Sequence, residues 1–139
     1  MHAVEVWSNV ILNNRDPVYL QVVRHFKEQI VTGRLIAGQV IPSRRELAVL
    51  VKINPNTAQR AYKEMEEQKL IVTEGNSPSH ITRDEAVLKA IRSELLCEAI
   101  DAFVASIQKI DVPVDELLDL VRQRMTDKGK RIKEGGKQK

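Results

Sequence analysis

Two helix-start signals set close together constrain this chain more than any other feature. The first is Ser43 with Glu46 three residues on. A serine at the N-cap accepts a backbone N–H from the first helical turn, and a glutamate there reaches back to the N-cap N–H. The second is Asn54-Pro55. Asparagine is a good N-cap, and proline suits the first helical position, where its missing N–H is not needed. Between the two signals Leu47, Ala48 and Val51 give a short helix its buried side, and Lys52-Ile53 is left for a turn. Beyond Asn54, residues Ala58, Ala61, Tyr62 and Met65 fall at i, i+3, i+4 and i+7, one inward face of a second helix. Short helix, tight turn, helix is a helix-turn-helix.

The flanking segments complete a larger pattern. Asp16-Pro17 reads as another N-cap and first helical position, followed by Val18, Val22, Val23, Phe26 and Ile30 as an amphipathic stripe and by Gly33 as its stop. Leu35, Ile36 and Val40 then read as an irregular link, and Val10-Ile11-Leu12 as a short strand or an apolar plug. After the helix-turn-helix, Leu70-Ile71-Val72-Thr73 is a β-type run. Glu74 to Pro78 is turn chemistry, and Ser79-His80-Ile81-Thr82 returns as a second strand. The expected fold is mostly α with a small β-hairpin: a winged helix-turn-helix over residues 1–82.

A second region follows, at 83–125. Thr82 and Glu85 form another capping-box pattern, opening a long helix to about Lys109. Asp111-Val112-Pro113 breaks it from a short helix, Val114–Met125. The long helix carries Leu88, Ile91, Leu95, Ala99, Ile100, Phe103, Val104 and Ile107, an apolar arc too wide in its second half for one neighbour. One expected cover is the short helix, through Leu117, Leu118, Val121 and Met125. The other is the same segment of a second chain. Leu88, Ile91, Leu95, Ala99, Phe103, Ile107, Leu117 and Val121 are therefore the expected dimerisation set, making the protein a homodimer whose mode of pairing stays open.

Composition narrows the function classes. Aromatics are 4% of the residues, so an aliphatic core is expected. A single cysteine, Cys97, excludes an internal disulfide and a cysteine metal cluster. No stretch reaches the roughly 18 apolar residues of a membrane span, and the first residues lack a signal-peptide layout, so a cytoplasmic protein without membrane contact is expected. Net charge is +2 over residues 1–82, −3 over 83–125 and +4 over 126–139. A Gly/Lys-rich tail with one apolar residue, at 126–139, is expected to be disordered. It is either solvated or a non-specific phosphate-binding arm.

The chemistry lies on the outward face of the helix after Asn54. Asn56, Gln59, Arg60 and Lys63 occupy or flank that face in its first turns, before it becomes acidic at Glu64, Glu66 and Glu67. A helix-turn-helix places the start of its second helix in the DNA major groove. Amides there pair bidentately with adenine, and arginine pairs with guanine or neutralises phosphate. Thr57 and the helix N-terminus can hold a phosphate oxygen. Ser43, Arg44 and Arg45 open the preceding helix. Arginine in a first turn opposes the helix dipole, so DNA contact explains the pair better than packing does. Asn54, Gly75 at the hairpin tip and His80 in the returning strand complete the candidate contacts. The partner so described is a double-stranded, pseudo-palindromic operator. No catalytic residue, metal ligand or cofactor site is expected: the histidines are scattered, no carboxylate pair accompanies a nucleophile, and no Gly-rich phosphate loop is present.

The same residues resemble the GntR family of bacterial regulators. The likeness runs through Pro17-Val18-Tyr19-Leu20-Gln21, then Ile30, Gly33, Leu35 and Gly38, then Ile41-Pro42-Ser43-Arg44-Arg45-Glu46-Leu47-Ala48, and then Asn54-Pro55-Asn56-Thr57-Ala58-Gln59-Arg60-Ala61-Tyr62. The Asn-Pro-Asn-Thr opening and the small two-helix C-terminal segment resemble the YtrA-type subgroup. That resemblance implies a dimeric repressor, often of ABC-transporter genes, with Arg45, Asn56, Thr57, Gln59 and Arg60 on operator DNA. Lys69 stands where the family usually has glycine, and the hairpin keeps only Gly75. A sequence-specific regulator is thus the first reading. A non-specific architectural DNA binder and a winged-helix protein-interaction module are the alternatives. Whether a small-molecule effector binds is left open.

Overall fold

A computed structural model of the chain describes residues 6–7 and 10–137. Its elements are α1 (Val18–Val31), α2 (Arg44–Val51), α3 (Pro55–Glu67), β1 (Ile71–Val72), β2 (His80–Ile81), α4 (Glu85–Ile107) and α5 (Val114–Lys137). The fold is a winged helix-turn-helix followed by a helical segment. The chain divides into two units, Met1–Ala99 and Ile100–Lys139. The first unit ends beyond Thr82, because α4 supplies two of its core residues.

Local chemistry sets the ends of these elements, and in two places differently from expectation. Pro17, not Asp16, occupies the N-cap of α1, its carbonyl accepting the N–H groups of Leu20 and Gln21. Asp16 is drawn off instead: its carboxylate accepts from Asn13 at 3.1 Å and its carbonyl from the Gln21 amide at 2.8 Å. At α4 the helix opens at Glu85 rather than Thr82. The Thr82 hydroxyl accepts the Asp84 N–H at 3.0 Å, and the Asp84 carboxylate accepts the Ala86 N–H at 2.9 Å, so the cap lies two residues later. Gly33 ends α1 as expected. Its φ of +80° lets the Arg34 N–H reach back to the Gln29 carbonyl at 2.9 Å.

The wing is an antiparallel pair with Ile71 opposite Ile81 and Val72 opposite His80. Val40 bridges His80 on its other side, so the link after α1, expected to be irregular, adds an edge to the sheet. Val10-Ile11-Leu12 forms no strand; Val10 and Leu12 are half-buried, whereas Ile11 is 93% exposed.

The core sits under the helix-turn-helix. Val22, Val23 and Phe26 of α1 meet Leu47 of α2, Ala61, Tyr62 and Met65 of α3, and Leu70, Ile71 and Ile81 of the wing. The core is mostly aliphatic, as composition led one to expect, with three aromatics, Trp7, Phe26 and Tyr62, clustered within it. Trp7 lies 4.9 Å from Phe26, ring centre to ring centre, and Phe26 meets Tyr62 edge-on at 6.2 Å. Even a few clustered aromatics contribute much to such a core, because each buries roughly 150–250 Å². Ile91 and Leu95 of α4 are buried in this same core, with Leu88 packed against it. These three were expected to meet a second chain. They are used inside the protomer instead, and Lys27–Glu94 (2.7 Å) and Arg24–Glu98 ion pairs flank them.

From Ile100 onward the pattern changes. Ile100, Phe103 and Val104 of α4 are exposed, as are Leu118, Leu120, Val121 and Met125 of α5. The short helix was expected to cover the long one; within this unit Ile107, Val112 and Leu117, around the turn, are only half-buried. The tail expected to be disordered continues α5 to Lys137. Adding residues to a formed helix avoids the costly nucleation step, and Lys130, Arg131, Lys133 and Glu134 propagate well, against the cost of Gly129, Gly135 and Gly136. Among the described residues no helix is long and apolar enough to cross a membrane.

Candidate nucleic-acid interface

The interface is built on two helix N-termini. At α2, the Ser43 hydroxyl accepts the Glu46 N–H at 3.1 Å and the Glu46 carboxylate accepts the Ser43 N–H at 3.0 Å, the expected reciprocal cap. The Ser43 N–H bond holds the Glu46 carboxyl below its ordinary range. Ser43 is exposed at this helix start, its backbone and side chain both engaged in the cap. Lys52, at φ +62°, makes the turn, and the Ile53 N–H reaches the Ala48 carbonyl at 3.0 Å. At α3, the Asn54 side-chain amide oxygen accepts the Asn56 N–H at 2.8 Å, with Pro55 in the first helical position. Asn54 therefore acts first as a cap.

Packing then orients α3. Ala58, Ala61, Tyr62 and Met65 are buried, which turns Asn56, Gln59, Arg60 and Lys63 outward; all four are exposed, and Thr57 is half-buried. The small alanines let α3 lie close to its neighbours while Tyr62 locks it. Its hydroxyl donates to the Pro42 carbonyl just before α2, and burial pushes its phenol well above the ordinary range. The two N-termini are thereby tied together through one buried ring.

The two arginines of α2 part company. Arg45 is exposed, and no ion pair or hydrogen bond engages its side chain among the described residues. It lines a groove between α2 and the wing together with Ser43, Asn76 and Ser79. Arg44 turns back instead. It pairs with Glu66 of α3 at 2.6 Å, its guanidinium 5.8 Å from the centre of the Tyr62 ring. A packing reason for Arg44 thus exists after all, and the acidic end of α3 supplies it.

In the wing, Gly75 is exposed at φ +56° with open space where a side chain would stand. His80 lies back from the tip, half-buried in β2, its Nε2 3.2 Å from Arg83. Arg83 is a cation that sequence reasoning missed. It packs so closely on Gly38, itself at φ +80°, that a Cβ there would come within 2.7 Å of its Nε. Tyr19 was also missed as a participant: the Arg60 guanidinium carbon lies 4.0 Å from the centre of its ring. The only sequence signals were a cation directly after the returning strand and an aromatic on the first helix. Neither names its partner. Among the described residues no group of three His, Cys, Asp or Glu side chains is placed to hold a metal.

Known regulatory proteins resemble this chain in sequence and in fold. Residues 18–81 match the family described as bacterial regulatory proteins, gntR family. The chain is 33% identical over 98 residues to the HTH-type transcriptional repressor YtrA of Bacillus subtilis (strain 168), covering 66% of this chain and 75% of that protein. It is 29% identical over 106 residues to the regulator YhcF of the same organism, covering 76% and 88%. Among solved structures, a transcriptional regulator from Oenococcus oeni is 33% identical with a TM-score of 0.69, over 84% of this chain and 98% of that one.

Proposed function

The chain belongs to the GntR family of bacterial regulatory proteins, as a DNA-binding transcriptional regulator and not an enzyme, and from that premise we propose that it is a sequence-specific, homodimeric, cytoplasmic repressor. One observation carries the reading: α3 buries its alanines, Tyr62 and Met65 and leaves Asn56, Gln59, Arg60 and Lys63 facing outward at the start of a second helix. That is the chemistry a major groove reads. Arg45 and Ser43 stand beside it for the backbone, with Thr57, Gly75 and His80 in supporting places and Asn54 mainly capping. Arg44 joins only if DNA displaces Glu66.

The apolar side chains exposed from Ala99 to Met125 support pairing with a second copy. Ala99, Phe103, Ile107, Leu117 and Val121 are the members of the expected set that remain for it. A two-fold pair places its recognition helices on half-sites about 34–36 Å apart, one helical turn of DNA, or a multiple of that. Repression accords with the name of the YtrA relative, and a transporter operon as target rests on the subgroup resemblance alone.

The test is selection of duplexes from a random-sequence pool by the full chain, followed by anisotropy titration at stated salt. Enrichment of a two-fold site is expected, with Arg45→Ala weakening binding to it by about 1–3 kcal/mol while melting is unchanged. Equal affinity for selected and unselected duplexes would make the protein a non-specific binder instead.

A further inference from the structure

We propose that Tyr19 is a positioning residue for DNA recognition, a fixed aromatic platform on which α1 holds the Arg60 side chain of α3. The inference rests on the reading of α3 as the recognition helix and adds a residue from outside the helix-turn-helix.

The geometry is a face contact, the guanidinium carbon 4.0 Å from the ring centre. A cation so placed is attracted by the negative face of the ring. Tyr19 is half-buried and packs against the hydrophobic core, so the ring is held from behind. Arg60 is exposed, and no hydrogen bond uses its N–H donors among the described residues. The obvious competitor is Glu64, one turn on, where an opposite charge ordinarily captures an arginine. Its carboxylate accepts instead from the Gln68 amide, at 2.7 Å. Stacking uses the flat face of a guanidinium and leaves the donors at its edge, which are what a guanine or a phosphate needs. Arg60 and Arg44 therefore receive opposite treatment. Arg44 is neutralised by a carboxylate, whereas Arg60 is immobilised by a neutral ring that keeps its charge and its donors.

The test is a double-mutant cycle on the full chain. Binding is measured to a duplex selected from a random pool by the wild-type protein and to an unselected duplex of equal length. Tyr19→Leu keeps apolar cover over the core but removes the ring. It is expected to weaken selected-duplex binding about three- to tenfold with a much smaller effect on the unselected duplex, and to cost nothing more once Arg60→Ala is present. Tyr19→Phe is expected to bind like wild type. Arg60→Lys, which keeps the charge without the plane and does not disturb the core, is expected to lose discrimination between the duplexes. Undiminished discrimination by Arg60→Lys overturns the proposal, as does a Tyr19→Leu loss that is absent or equally large without Arg60. Full-strength binding by Arg60→Ala would overturn the reading of α3 itself, and this inference with it.

Discussion

The two halves of α4 read almost alike in sequence and behave oppositely in structure. From Glu85 to Ala99 the helix gives Ile91 and Leu95 to the core and Glu94 and Glu98 to ion pairs with α1. From Ile100 to Ile107 the same helix leaves Ile100, Phe103 and Val104 exposed. Apolar spacing says that a face will be covered. It does not say by what. The first half is closed by the chain's own winged helix, whereas the second carries the kind of apolar surface that marks an interaction site on a soluble protein. The protomer's stability, which rests on one half, and the pairing proposed for the other can therefore be disturbed separately.

The largest expected effect comes from emptying the closed half. Ile91→Ala removes a side chain that is 4% exposed and should lower unfolding free energy by about 2–5 kcal/mol. Denaturant melts of dilute protein measure it, and a loss under about 1 kcal/mol would mean that α4 is not truly part of the core. The matching change in the open half is Phe103→Asp. Sedimentation should show it shifting the protein to monomers, consistent with loss of a buried aromatic anchor of about 2 kcal/mol or more, while the dilute melt stays where it was. A dimer that persists would place the interface elsewhere.

Two smaller changes ask whether the first unit is also tuned locally. Lys69 sits at φ +63°, a left-handed conformation that strains any side chain but suits glycine. Lys69→Gly should raise stability by about 0.5–1 kcal/mol in the same melts. A loss would show that the lysine makes up for its strain. The smallest effect concerns the cap of α2. Because the Ser43 N–H holds the Glu46 carboxyl below its unfolded value, its contribution is present above the ordinary carboxylate range and fades as pH falls through the lowered one. Glu46→Gln can keep the reciprocal cap without the charge. It should melt with slightly less acid sensitivity than wild type, and identical acid profiles would contradict this.

Much of this was legible from residues alone, for a physical reason. Caps, proline positions and glycine stops are local, so Ser43-Glu46, Asn54-Pro55 and Gly33 located α2, α3 and the end of α1. The outward face of α3 followed from Ala58, Ala61, Tyr62 and Met65, because helical periodicity fixes both faces at once. What escaped was tertiary choice. Asp16 looked like a cap until Asn13 and Gln21 competed for it. Arg44 and Arg45 are identical in sequence terms, and Glu66 and the Tyr62 ring, distant in sequence but beside Arg44 in space, separate them. Trp7, Tyr19 and Arg83 acquire their roles from partners that no local pattern names.

The central claim is that the outward face of α3 and the start of α2 meet DNA. Backbone amide chemical shifts of the isotope-labelled full chain, followed as a selected duplex is titrated in, test it most directly. Shifts should concentrate at residues 43–45 and 54–63, with lesser ones in the wing, and leave 100–107 nearly still. Perturbation centred on 100–107, with 54–63 unmoved, would contradict the account.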